Sequence, residues 1–269
     1  MWEIIIRVAG RIFLPIAARF EMEMDSMSEV DLEYSEVICR QMVATPTDGS
    51  MEWAESTYSK AFLQGFDYII HAGDLKGDIL EFGTYKGFTA HVIAKLMKQC
   101  GLSSHLWLYD SFEGFPEIEN LSDKQCYLNK KGDWVAGGMS LPKDFERYIS
   151  DSLQKVIPSE SFTIVKGFFE ETMDKFLSGE KAVLVHLDCD LYSSSEYVLN
   201  KLLEKKLLQD GTLLFCDDYN GNRANPTMGQ RGALSKVFNE NCRFAISEFF
   251  SYSWHGKTFF IHDKETFVL

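Results

Sequence analysis

The sequence predicts an α/β fold: a doubly wound, mostly parallel seven-stranded sheet with an antiparallel C-terminal hairpin and a helical N-terminal extension. Three observations predict it. Five short apolar runs alternate with segments of helical periodicity, the pattern of parallel βαβ units. Two longer runs near the C terminus are separated only by the turn Trp254-His255-Gly256. The length, 269 residues at 45% apolar and 25% charged, is enough for a buried core without disulfides or structural metal. The expected division is an extension over residues 1–70, for docking or oligomerisation, and a ligand-binding domain over 71–269 with an insertion at 111–160.

The elements follow in order. A helical segment near 52–72 leads into the apolar run 78–82 (DILEF), closed by Gly83, and apolar residues recur at helical spacing over 87–98. Residues 105–109 (HLWLY) form a second buried strand ending at Asp110, before the Gly- and aromatic-containing insertion. Runs 162–166 (FTIVK), 182–187 (AVLVHL) and 212–216 (TLLFC) are the next strands, with helices at about 168–178, 194–206 and 229–240. Residues 244–250 and 257–262 make the hairpin.

Residues 1–20 are apolar, but Glu3, Arg7, Arg11, Pro15 and Arg19 break the stretch, and no uncharged run approaches the ~20 residues a membrane span needs. The pattern fits an amphipathic helix that docks on its own domain, on a partner subunit or on a membrane surface. An acidic stretch from Glu21 to Glu36 reads as a connector. The apolar start makes a homo-oligomer the expected assembly. A net charge of −13 with no basic run argues against nucleic acid as a partner. Six cysteines without a C-x-x-C pair disfavour metal knuckles and fit a reduced, cytoplasmic setting.

In a doubly wound sheet, ligands bind at the carboxyl ends of the strands. The first strand ends in Glu81-Phe82-Gly83-Thr84-Tyr85-Lys86-Gly87, whose glycines permit a tight turn and close ligand approach before a helix amino terminus. An ordinary strand–helix turn explains the same residues, and the G-x-G-x-x-G dinucleotide fingerprint is absent. Asp110, at the tip of the second strand, is placed to bond ribose hydroxyls or simply to cap a helix. The fourth and fifth strands end in His186-Leu187-Asp188-Cys189-Asp190 and Asp217-Asp218-Tyr219. Four carboxylates converging on adjacent tips need a compensating cation or shared protons. Hard oxygen donors in that number suit Mg²⁺ or Mn²⁺. Helix-capping acids account for one or two of them, not for four.

Residues 78–87 (DILEFGTYKG), 109–117 (YDSFEGFPE), 186–192 (HLDCDLY) and 215–232 (FCDDYNGNRANPTMGQRG) resemble the macrocin O-methyltransferase (TylF-like) family over roughly residues 40–240. The resemblance implies a class I, Rossmann-like methyltransferase domain, S-adenosylmethionine as cofactor, Mg²⁺ or Mn²⁺ dependence and methylation of a sugar hydroxyl. It further implies that Glu81, Gly83, Thr84, Tyr85, Asp110, Ser111 and Asp188 hold the cofactor and that Gly167 and Phe168 lie near its adenine. By the same resemblance, Asp188, Asp217 and Asp218 are metal ligands. Asp190, with Asp188, does the catalytic work, as general base. Catechol O-methyltransferases are similar, but they carry a catalytic Lys shortly after the first metal Asp. Here Leu191, Tyr192 and three serines follow Asp190.

The chemistry suits these residues: an alkyl hydroxyl is a poor nucleophile, and a divalent ion lowers its pKa by several units. Positioning and water exclusion then serve the in-line displacement. A metal-dependent hydrolase would share the aspartates but not the Glu81–Gly83 turn and Asp110. An inactive binding protein of the same fold would be expected to have lost part of the carboxylate set. His186 reads as a core histidine and His255 as a turn residue that could face the site. Asn222, Arg223, Asn225 and Gln230 either bond a polyhydroxylated acceptor or cap the following helix.

Overall fold

The computed structural model describes residues 50–71, 75–126, 134–175, 178–241 and 243–266. The amphipathic helix expected over 1–20 and the acidic connector lie outside them. Residues Glu52–Leu269 form one compact unit. Its elements are α1 (Ser50–His71), β1 (Asp78–Phe82), α2 (Phe88–Cys100), β2 (Leu106–Asp110), α3 (Leu121–Lys124), α4 (Phe145–Leu153) and β3 (Phe162–Lys166). There follow α5 (Phe169–Thr172), β4 (Ala182–Leu187), α6 (Tyr192–Glu204), β5 (Leu213–Cys216), α7 (Gly229–Glu240), β6 (Phe244–Tyr252) and β7 (Gly256–Asp263).

Seven strands form one sheet in the order β3-β2-β1-β4-β5-β7-β6. Strands β1 to β5 pair in parallel, and β7 pairs antiparallel with both β5 and β6. The fold class expected from the sequence is the one observed. Side chains alternate across the pleat. Leu80, Phe82, Val185, Leu187 and Leu214 share one buried core with Val198, Leu199 and Leu202 of α6 and Leu234 and Val237 of α7. On the other face, Phe62 of α1 stacks on Phe215 of β5 at 4.9 Å and meets the His186 ring edge-on at 5.1 Å. Burying an aromatic side chain of that size contributes roughly 2–3 kcal/mol.

Most boundaries shift by one or two residues, and two of the differences have a visible cause. The helix expected over 168–178 is the single turn α5, where the Thr172 hydroxyl donates back to the Phe168 carbonyl at 2.9 Å. Helix α6 begins two residues early because Asp123, from the insertion, accepts the backbone N–H groups of Tyr192 (2.6 Å) and Ser193 (3.1 Å). A carboxylate there satisfies two free donors and suits the positive end of the helix.

Register brings the functional ends together. Phe82 lies opposite Tyr109 and Leu187, and Leu187 lies opposite Cys216. Past the regular ladders the pairing continues: Gly83 N–H donates to Tyr109 O (2.9 Å), Asp188 N–H to Phe82 O (2.8 Å), Asp217 N–H to Leu187 O (3.0 Å) and Gly167 N–H to Asp110 O (2.9 Å). The tips of β3, β2, β1, β4 and β5 therefore stand side by side. Gly83 makes this possible: its φ is +94°, and a Cβ there would lie 1.7 Å from the carbonyl oxygen of Asp188. Among the described residues, no helix is long and apolar enough to cross a membrane.

Candidate active site

Asp188, from the end of β4, and Asp217 and Asp218, from the end of β5, each offer one carboxylate oxygen, all within 4.8 Å of one another. Asp217 is buried, whereas Asp188 and Asp218 keep one side partly open. The buried atoms Asp217 Oδ1 and Asp218 Oδ2 meet no donor. Such atoms are costly to bury unless a cation or a proton faces them. Burial, then Asp217, Asp218 and Asp190 as neighbours, hold the Asp188 carboxyl well above the usual range. Burial and Asp217 push Asp218 up to about 7, against the downward pull of His255, the Asp190 backbone N–H and His186. Three crowded acids with acceptor oxygens directed at one point could hold a hard divalent cation.

Asp190 sits just past Asp188 with φ +58°, in the left-handed region. Burial and the charges of Asp218, Asp217 and Asp110 raise its carboxyl well above the ordinary value. The fourth carboxylate thus belongs electrostatically to the same cluster.

The β1 and β2 tips adjoin it. Asp110 accepts the backbone N–H groups of Tyr85 and Phe112, both at 2.6 Å, so both of its oxygens are oriented by the chain. Burial raises its carboxyl, and those two bonds partly offset the rise. Thr84 is buried with its hydroxyl unpartnered. Glu81 is fully buried: Oε1 lies 3.0 Å from Nδ1 of His186, while Oε2 and the histidine Nε2 have no partner. Gly167 leaves the third strand with φ +135° and leads into Phe168, the N-cap of α5. Ser111 is engaged within its own turn, donating to Gly114 O (2.9 Å) and accepting from Glu113 N–H (3.1 Å). The candidate cofactor, metal and catalytic residues thus lie from one residue before to three residues beyond the carboxyl ends of β1 to β5.

Other residues join the site from a distance. Tyr58, on α1, donates its hydroxyl to Asp217 Oδ2 at 2.8 Å. Burial and the Asp217, Asp188 and Asp218 charges push its phenol far above the ordinary value, so it stays a donor. His255, at the hairpin tip, faces the site, with Nδ1 2.7 Å from the backbone oxygen of Asp217. Gln230 is structural: its amide donates to Leu187 O (2.8 Å) and its carbonyl accepts Asp218 N–H (3.0 Å), tying the β4 and β5 ends together. Asn222 is buried and accepts the Cys126 thiol at 2.9 Å. Nothing local in the sequence marks Tyr58, which lies 159 residues from Asp217.

The family model for macrocin-O-methyltransferase (TylF) matches residues 60–230. The chain is 26% identical over 180 residues to the 8-demethyl-8-(2,3-dimethoxy-alpha-L-rhamnosyl)-tetracenomycin-C 4'-O-methyltransferase of Streptomyces olivaceus, covering 62% of this chain and 65% of that one. It is 26% identical over 151 residues to the mycinamicin III 3''-O-methyltransferase of Micromonospora griseorubida, covering 53% and 55%. The matched region is thus under two thirds of the length of each of these curated relatives. Among solved structures, the calicheamicin methyltransferase superposes with a TM-score of 0.63 at 18% identity, over 86% of this chain and 93% of that one. The sheet therefore has the class I methyltransferase fold.

Proposed function

We propose that this chain, which belongs to the macrocin O-methyltransferase (TylF) family, transfers a methyl group from S-adenosylmethionine to a sugar hydroxyl. In this reading Asp188, Asp217 and Asp218 hold Mg²⁺ or Mn²⁺. The observation that carries it is the convergence of these carboxylates, two of whose buried oxygens have no donor. A binding surface for a neutral or anionic group alone would not concentrate acceptors in this way.

The turn after β1 and the tip of β2 are assigned to the methyl donor. Asp110, fixed by two backbone N–H groups, would meet the ribose hydroxyls, and Gly167 and Phe168 would flank the adenine. Glu81 Oε2 and the Thr84 hydroxyl, buried and unpartnered, are free for polar groups of the same ligand, with Gly83, Tyr85, Ser111 and Asp188 around it. A divalent cation, when bound, compensates the carboxylate charge and favours ionisation of an adjacent hydroxyl.

Asp190 takes the hydroxyl proton at its carboxylate. Its raised affinity for a proton makes it a stronger base than an ordinary Asp. The acceptor oxygen forms the new C–O bond as the S–CH₃ bond of the donor breaks, which leaves S-adenosylhomocysteine. Asp190, partly open to solvent, then loses the proton to water.

The named relatives support a glycoside of a natural product as acceptor, since one is a methyltransferase of a rhamnosyl-tetracenomycin and another of mycinamicin III. A nucleotide-linked or capsular sugar would present a hydroxyl of the same kind. We infer a cytoplasmic homo-oligomer from the cysteine spacing and the apolar N terminus. Calorimetric titration with S-adenosylhomocysteine, with and without Mg²⁺, tests the reaction class. Micromolar binding is expected, followed by methyl uptake on rhamnosylated acceptors. Folded protein that ignores the ligand would remove the methyltransferase reading and favour a metal-dependent hydrolase.

A further inference from the structure

We propose that Tyr58 and His255 are positioning residues that fix Asp217 so that its Oδ1 alone faces the cation. The inference rests on the cation reading above and adds what orients the ligand.

Asp217 is gripped from three elements. Its own backbone N–H is tied to Leu187 O in the sheet. The Tyr58 hydroxyl, from α1, holds Oδ2 at 2.8 Å, and the His255 ring, from the β6–β7 turn, holds the backbone oxygen at 2.7 Å. Because that partner is a carbonyl, Nδ1 of His255 must carry a hydrogen. The same nitrogen lies 3.6 Å from Asp217 Oδ2, on the side that Tyr58 occupies. Both donors therefore act on Oδ2 and the main chain, and the buried Oδ1 is left with no donor.

The two positioning rings are themselves braced. Tyr58 packs edge-on against Phe88 of α2 at 5.8 Å and against Tyr252 at 6.0 Å, and Tyr252 also meets His255 at 6.3 Å. An aromatic cluster from α1, α2 and the hairpin thus sets the height of one carboxylate. A carboxylate with one oxygen hydrogen-bonded and the other bare is a one-atom ligand of fixed direction, and outer partners of this kind tune metal affinity. Tyr58 also lies before residue 60, where the family match begins.

The test is Mn²⁺ affinity of the full chain, read by electron paramagnetic resonance at pH 8, for wild type, Tyr58→Phe, His255→Ala, His255→Asn and Asp217→Ala. Tyr58→Phe keeps the ring packing and removes only the hydroxyl, so its thermal midpoint should hold while Mn²⁺ binding weakens about 10–100-fold. His255→Asn, whose amide N–H can reach the same carbonyl, should bind Mn²⁺ more tightly than His255→Ala. Unchanged Mn²⁺ affinity in a folded Tyr58→Phe protein overturns the proposal. Equal Mn²⁺ affinity in His255→Asn and His255→Ala overturns it for His255. Wild type that binds no Mn²⁺, or binds it as Asp217→Ala does, overturns the cation reading and this inference with it.

Discussion

A buried aspartate and a cluster of three aspartates sit at opposite ends of the same sheet and are treated in opposite ways. At the amino end of β1, the Asp78 carboxylate accepts Trp107 Nε1–H (2.9 Å), the Ser178 hydroxyl (2.5 Å) and His105 N–H (3.2 Å). Each of its oxygens has a donor, and it ties β1 to β2 and to the segment before β4. At the carboxyl ends, Asp188, Asp217 and Asp218 face one another, and buried oxygens on two of them have no donor. A partnered buried carboxylate stabilises the fold, whereas a crowd of unpartnered ones is destabilising until a ligand arrives. On the proposed reading, the difference separates a structural acid from working ones.

Substitution should separate the two ends. Asp188→Asn should reduce methyl transfer by about 10³-fold or more, the several kcal/mol that a lost cation represents. The metal-free Asp188→Asn protein should melt no lower than wild type, because a like charge has been removed. A clear drop in its midpoint with turnover retained would break the comparison. Asp78→Ala should do the reverse. Stranding its buried donors should cost about 3 kcal/mol of stability in denaturant titration while Mn²⁺ affinity stays within experimental error.

pH sharpens the contrast. With the folded Asp218 raised to about 7 from 3.8, its proton stabilises the cation-free chain fully below about pH 4, and that contribution is lost as pH rises to about 7. Cation binding displaces the proton, so it runs the other way: Mn²⁺ affinity should weaken at least about tenfold for each unit below pH 7. Calorimetry at pH 8, 7 and 6 reads this directly, and a flat profile would contradict the assignment. The smallest effect belongs to a partnered group away from the cluster. Asn120, whose side chain accepts Ser122 N–H at 2.8 Å, should cost about 1 kcal/mol on substitution by Ala, measured by thermal unfolding, with no change in Mn²⁺ binding.

Much of this was legible in the sequence because it is local. Strand runs such as DILEF and AVLVHL are short, mostly apolar and buried on both faces, and each ends one residue before a residue of the candidate site. Parallel alternation then places Gly83, Asp110, Asp188 and Asp217 at one edge by register alone. What local pattern could not supply was long-range partnership. Tyr58 looks like any residue of an amphipathic helix, and only the packing of Phe62 on Phe215 and His186 brings it to Asp217. Gln230 could equally have met an acceptor, until the sheet placed Leu187 O and Asp218 N–H on either side of it. Early initiation of α6 likewise depends on Asp123, 69 residues before the helix it caps.

The most direct measurement is the stoichiometry and affinity of Mn²⁺ on wild type, Asp217→Asn and Asp78→Asn at pH 8. One ion per chain, at least about 100-fold weaker in Asp217→Asn and unaltered in Asp78→Asn, is the expected result. No bound ion in wild type, or an equal loss in both variants, would contradict the assignment of the carboxyl-end aspartates as the cation site.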